Sequence, residues 1–231
     1  MNYSRLSYYF SSLAFLVFLH QYVYLIGDIL LFKFYITDDK IVDKFSLYKR
    51  RYIVKNLWKS AMLALILISG TIGFIDGFFN EIWSNLTFLV WGTFYVSLDL
   101  SGLVYVHGLP VATKVHHIVV CILGTLNAFA DYNFPGYYHS ILIYTYFSIV
   151  PFIVNFYLGY RYLETNNTRR KIVAKISYII YSLSLAINII SQCIFFYSET
   201  FSLSIIFYIL MFSMIMNDDI KLIRFLRTEA V

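Results

Sequence analysis

Charge is what this 231-residue chain has least of: 13% of its residues are Asp, Glu, Lys or Arg, while 60% are hydrophobic. A soluble domain is about half apolar and about a quarter charged, so the composition excludes an ordinary soluble domain and points to a membrane protein. Cysteine is nearly absent too. Cys121 and Cys193 each lie inside an apolar run, where they read as small core residues and not as a disulfide or metal pair; no metal site is expected. The opening residues, MNYSRLSYYF, lack a clear basic n-region and a small-x-small cleavage site, so the first apolar run is expected to stay as a spanning helix. No segment alternates with period two, which argues against an outer-membrane barrel. No linker or low-complexity tract divides residues 1–231, which read as a single transmembrane domain.

What is present is a series of apolar runs close to the roughly 20 residues that a spanning helix needs. They cover 9–32, 57–79, 86–107, 110–130, 137–160, 172–197 and 201–217, and predict an all-α polytopic bundle of six to seven spans, about seven. The cations test this count. The loop from Lys33 to Lys59 holds eight, the short connection carrying Lys114 one, the segment from Arg161 to Lys175 five, and the tail three at Lys221, Arg224 and Arg227. Only Arg5 falls on the other side, so 17 of the 18 Lys and Arg residues share one face of the membrane. By the positive-inside rule that face is cytosolic. The N-terminus is then lumenal and the C-terminus cytosolic. The net charge of +5 serves orientation in a bilayer, and no nucleic-acid partner is expected. The 22 Tyr and 22 Phe read as interface belts and lipid packing. The connection 33–56 reads as a solvated loop, part of which lies along the interface as an amphipathic stretch. Asn85, in the sequon NLT, would be lumenal but too near the membrane for glycosylation.

Polar residues inside the spans carry the functional question. Gly108 and Pro110 mark a tight turn between the third and fourth spans. Asp99 lies nine residues before Gly108 and His117 nine after it. In an antiparallel hairpin, equal separations mean equal depth, roughly 12–14 Å from the turn at 1.5 Å per residue. Asp99 and the His116–His117 pair therefore face one another within the membrane. Adjacent histidines differ by about 100° around a helix, so one points to the cavity while the other meets a neighbouring helix. Lys114, one turn nearer the cytosol on the face of His117, is placed to snorkel. A buried carboxylate costs about 2.5–3.5 kcal/mol even on lenient scales and persists where it is paired, hydrated or functional. Asp99 beside an imidazole suits general-base work. The competing reading makes Asp99, the histidines and Tyr95 hydrogen-bonding glue between helices. His20 reads as glue, Asp28 and Asp76 as interfacial, and Pro151 as a kink in the fifth span.

Residues 91–120, WGTFYVSLDLSGLVYVHGLPVATKVHHIVV, resemble the TLC-domain family, which includes ceramide synthases, the translocating-chain-associated membrane protein and small TLC-only proteins. The matching pattern is an aromatic and an Asp in one span, a short turn, and a His-His pair opening the next: here Tyr95, Asp99, His116 and His117. WKSAML (58–63) is similar to the family's Trp- and Ser-containing region, without the histidine that often follows. MIMNDDIKLIRFL (214–226) is similar to the close of the last span, with Asn217 in place. SIVPFIVN (148–155) is similar to the Ser-Thr-Pro-Phe-x-Asn segment of small members, with Phe147 at the usual Glu position and Asn155 one place late. The resemblance runs over about 55–225 and is specific only in the Asp-to-His-His element.

The resemblance implies a TLC-like bundle with a polar intramembrane cavity, in the endoplasmic reticulum or a related internal membrane, and a role in membrane lipid composition, lipid binding or sensing. Ceramide synthases carry a His-Asp-x-x-Asp element in the next span, whereas residues 137–160 contain no acidic residue; that departure argues against N-acyl transfer to a sphingoid base. One reading is acyl transfer, with His116 or His117 as base, Asp99 orienting it, Tyr95 and Lys114 binding substrate, and acyl-CoA as co-substrate without any bound cofactor. The alternative is a non-catalytic trafficking or chaperone-like protein with a structural His pair. A retinal protein would need a mid-span Lys in the last helix, and 201–217 has none.

Overall fold

The computed structural model describes residues 3–35, 45–106, 108–134, 136–198 and 202–231. Among them the chain is all-α. Helix α1 (Tyr3–Ile29) runs into a π-helical turn at Leu30–Tyr35, followed by α2 (Leu47–Asn80), α3 (Asn85–Tyr105), α4 (Val111–Ala128), α5 (Tyr137–Ile149), α6 (Phe152–Tyr160), α7 (Asn167–Ser198) and α8 (Leu203–Ala230). Six helices are long and apolar enough to cross a membrane, and the bent pair α5–α6 makes up to a seventh span. The chain is thus a multi-pass integral membrane protein by the length and composition of its helices. Phe18, Ile68, Ile72, Phe79 and Leu183 are among the large apolar side chains left exposed, as befits a lipid-facing surface.

Local chemistry sets the helix ends. Ser46, Ser84 and Ser202 each accept the N–H three residues on, at 3.4, 3.3 and 3.4 Å, which answers one of the unpaired donors that open a helix. Gly108 takes φ +81, a left-handed conformation that glycine adopts without penalty, and Pro110 caps α4. Pro151 divides the fifth span at a bend of 40°. Proline has no N–H to give the carbonyl four residues back, and that carbonyl, Phe147 O, instead accepts from Ser184 Oγ at 2.5 Å. Beyond the break, Ser60 Oγ donates to Phe152 O at 3.0 Å and Ser177 Oγ to Ile153 O at 3.3 Å. The Ser184 hydroxyl of α7 thus satisfies the carbonyl that the proline leaves open, and hydroxyls of α2 and α7 fasten the first turn of α6.

Helices α2 and α6, α3 and α4, α1 and α3, and α7 and α8 are the most extensively packed pairs, with α4 also against α8. At one end of the bundle Arg5 Nη2 donates to Ala130 O at 3.0 Å, and Asn85 spans the α4–α5 connection. Its Nδ2 donates to Asp131 Oδ1 and its Oδ1 accepts from Tyr132 N, both at 2.9 Å. The amides of Asn85 and Asn133 hold the Asp131 carboxyl below its ordinary range. Cys121 and Cys193 are free thiols, and Cys193 is exposed instead of lying in the core.

Two boundaries differ from the sequence reading. The connection 33–56 is helical from Leu47, so Lys49, Lys55 and Lys59 project from α2; residues 36–44 lie outside the described part. The last helix does not stop near 217 but runs to Ala230. Its buried side continues through Ile215, Asp219 and Leu226, and its end is fastened by Tyr157 Oη donating to Glu229 Oε2 at 2.5 Å and Lys171 Nζ to Val231 O at 2.6 Å. Gly124 of α4 lies directly against Val96 of α3, where a Cβ would stand 2.2 Å from Val96 Cγ2. Gly124→Ala is expected to cost about 1–3 kcal/mol by overpacking, seen as a lower melting temperature in detergent, and Val96→Ala in the same chain to recover most of the loss.

Candidate functional site

Asp99 is completely buried on α3. Its Oδ1 accepts from Lys59 Nζ of α2, and His117 Nδ1 of α4 lies 3.0 Å from the same oxygen. The histidine contact is an electrostatic approach and not a formed hydrogen bond. Among the described residues His117 Nε2 and Asp99 Oδ2 have no hydrogen-bond partner. Three helices thus converge on one carboxylate.

His116 turns the other way, as neighbouring positions on a helix must. Its Nδ1 lies 3.6 Å from Asp218 Oδ2 and 3.5 Å from Asp219 Oδ1, both on α8. Thr113 Oγ1 donates to Asp218 at 3.1 Å and Tyr181 Oη to Asp219 at 2.8 Å. Among the described residues no three His, Cys, Asp or Glu side chains are arranged to hold a metal ion. Both histidines, Lys59, Asp218 and Asp219 line a cavity of about 720 Å³, together with Tyr95, Tyr144, Tyr181 and Asn188. Lys49, Arg161 and Lys221 line it at the end of the bundle where the Gly108 turn lies. The volume is within the range of sites that enclose a small molecule, and the lining mixes phenols, amides and charges with apolar side chains.

The hairpin geometry brings together Asp99 and His117 as their equal distances from Gly108 require. Tyr95 lines the cavity beside them. Lys114 does not: it is exposed on the outside of α4 and absent from the lining, because three residues before His117 it is turned about 60° from that histidine around the helix. His20 is glue between α1, α2 and α3. Trp58 Nε1 donates to its Nδ1 at 3.0 Å, which leaves the proton on Nε2 to reach Ser97 Oγ at 2.9 Å. Sequence reading missed Lys59, counted as part of a loop, and the Asp218–Asp219 pair, counted as the edge of a tail. The signal available for Lys59 was its position four residues after Lys55 and inside the WKSAML stretch, within reach of an otherwise unanswered Asp99.

Neither the protein-family models, nor the curated proteins, nor the solved structures contain a match to this chain. The site's chemistry therefore rests on its own geometry.

Removing one partner of a buried ion pair leaves an uncompensated charge, at about 3–5 kcal/mol. Lys59→Met is expected to destabilise the protein by about that amount in detergent unfolding. Lys59→Met with Asp99→Leu should be clearly more stable than Lys59→Met alone, and the reverse order would show that the pair is not what holds the three helices.

Proposed function

We propose that the chain is a TLC-type membrane protein that acts on membrane lipid in this cavity, by acyl transfer with His117 as general base. The observation that carries the reading is the contact of His117 Nδ1 with the buried Asp99, which leaves Nε2 without a partner on a wall of the cavity. With its proton on Nδ1, the ring offers Nε2 as the basic nitrogen. Nε2 takes the proton of an amine or hydroxyl acceptor as that atom forms a bond to the acyl carbonyl carbon. The thioester C–S bond breaks, and the thiolate leaves with the proton returned by the imidazolium. Asp99 orients the ring and stabilises its charge. Tyr95 lines the acceptor's place, and His116, facing Asp218 and Asp219, is the second histidine within it. Acyl-CoA suits the donor role because the cations lining the cavity suit its phosphates; Lys49, Arg161 and Lys221 supply these instead of Lys114. The same concentration of cations supports a cytosolic placement of that end, a lumenal N-terminus and residence in the endoplasmic reticulum or a related internal membrane.

A second reading, a non-catalytic lipid-holding, trafficking or chaperone-like protein, is favoured by one specific feature. Lys59 already occupies Asp99 Oδ1, so the carboxylate is answered without any substrate. The test is the lipid profile of cells expressing the native chain, His116→Ala or His117→Ala at matched membrane levels. Acyl transfer predicts an acylated lipid class that rises with the native chain and a rate of formation about 10²–10⁴-fold lower with His117→Ala. Equal profiles for native and His117→Ala overturn catalysis, and lipid co-purifying without turnover then supports the second reading.

A further inference from the structure

Tyr48, Tyr52, Lys55, Lys59 and Leu63 of α2 all line the cavity, spaced by three or four residues as one helix face requires. Lys59 is answered by Asp99. Lys55, one turn nearer the Gly108 end, is not. It is 3% exposed, yet among the described residues no carboxylate lies within ion-pair distance of it and no acceptor takes a hydrogen bond from its Nζ. Its stem is held against bare backbone of α3, where a Cβ on Gly102 would come within 2.8 Å of Lys55 Cε. Its Nζ faces the cavity, and an ammonium confined there without an adjacent carboxylate favours an anion beside it.

Arg161, which caps α6, repeats the pattern on the opposite wall. Its guanidinium carbon lies 4.7 Å from the Tyr162 ring centroid and 4.6 Å from that of Phe225. Nη2 donates to Tyr162 Oη at 3.0 Å. Nε is buried without a hydrogen-bond partner, and among the described residues no carboxylate pairs with the group. Two aromatic shelves thus fix the plane of a guanidinium whose Nε is left without a partner.

We propose that Lys55 and Arg161 form a seat for a phosphate ester at the entrance to this cavity. The inference rests on the lipid reading of the cavity and names the charged group that the entrance holds; it does not require turnover. A phosphate supplies several acceptor oxygens and can answer an ammonium and a forked guanidinium together. Five cations line the cavity, Lys49, Lys55, Lys59, Arg161 and Lys221, against Asp218, Asp219 and the Asp99 behind His117, so an anion also relieves the excess positive charge. The seat is one helical turn, about 5–6 Å, from the Lys59–Asp99 pair along α2, which keeps the phosphate beside the histidines without placing it on them. Two sources share this chemistry: a water-soluble thioester carrier and the headgroup of a phospholipid.

The test uses the full chain in dodecyl maltoside, which carries no phosphate, with coenzyme A as the soluble probe and phosphatidic acid in mixed micelles as the lipid probe. Binding is read by thermal shift and thermophoresis. The expected result is saturable binding of one probe, which identifies the source, weakened about tenfold by Lys55→Met and by Arg161→Gln, kept by Lys55→Arg, unchanged by Lys114→Gln and reduced by salt. Melting temperatures without probe establish that each variant folds, and Arg161→Gln decides alone if Lys55→Met does not. Saturable binding of neither probe, or equal affinity in the native chain and a folded Arg161→Gln, overturns the proposal. His117→Ala is expected to bind as the native chain does. Absence of turnover in the native chain with intact probe binding therefore counts against acyl transfer only, and turnover by the native chain with no probe binding counts against the phosphate seat only.

Discussion

A carboxylate completely withdrawn from solvent has to be answered from within the bundle, and Asp99 is answered from two sides at once. Lys59 reaches it from α2 and His117 from α4, so the ion pair fixes the rotation of three helices together. A one-residue slip would turn any of these side chains by about 100° and strand a charge. Such a pair adds little net stability over apolar packing, but it penalises every register except one. The remaining polar contacts of α3 use the same logic with neutral groups. Ser97 meets His20, while the Ser101 hydroxyl meets Tyr24 Oη at 3.0 Å and its carbonyl accepts from Gln21 at 3.0 Å. Helix α3 is the polar spine on which α1, α2 and α4 are aligned.

The other half of the bundle solves a backbone problem instead of a charge problem. Pro151 breaks the fifth span beside the cavity; the carbonyl released there, Phe147 O, is taken by Ser184, while Ser60 and Ser177 bind the first carbonyls of α6. Deeper in, Gln192 of α7 holds Ser140 of α5 and Tyr208 of α8 through its side-chain oxygen. The kink and its hydroxyl partners keep Ser148, Pro151 and Asn155 along the wall of the cavity. The cavity exists because one half of the bundle is locked by charge while the other bends at a point where neighbouring helices can satisfy it.

Much of this was legible in the sequence because two rules act at short range. Apolar run length gives the number of spans, and the residues flanking Gly108 give the relative depth of Asp99 and His117, since an antiparallel hairpin leaves no freedom there. Lys59 was hidden by the habit of counting lysine with the loops: a cation at the edge of an apolar run reads as solvated unless a buried carboxylate is known to lie opposite. Asp218 and Asp219 were hidden for a related reason. Their helix carries charge after an apolar stretch, which resembles an exit from the membrane, and only the packing of Leu226 against Val154, Tyr157 and Ala174 shows that the bundle continues past it. Lys114 erred in the opposite direction. Its three-residue spacing put it on the face of His117, but a step of three leaves it about 60° away around the helix, and there it is exposed.

The contrast between glue and chemistry can be drawn within the molecule itself. Where the bundle only needs to join helices it uses hydroxyls, amides and a neutral His20 whose two ring nitrogens are both engaged. Around the cavity it uses ammonium, carboxylate and imidazole, and there it leaves donors and acceptors open: His117 Nε2, Asp99 Oδ2 and Arg161 Nε. Unanswered polar atoms weaken a structural network; Asn127 Oδ1 and Ser182 Oγ are open elsewhere too, so what sets the cavity apart is that its open atoms sit beside charged groups. Lys59 does not reverse this argument. In the acyl transfer proposed above, with Oδ1 already held by a cation, Asp99 would act on His117 as a fixed charge and not as a proton acceptor, the arrangement in which an imidazole keeps the proton it has taken and can return it to a leaving group.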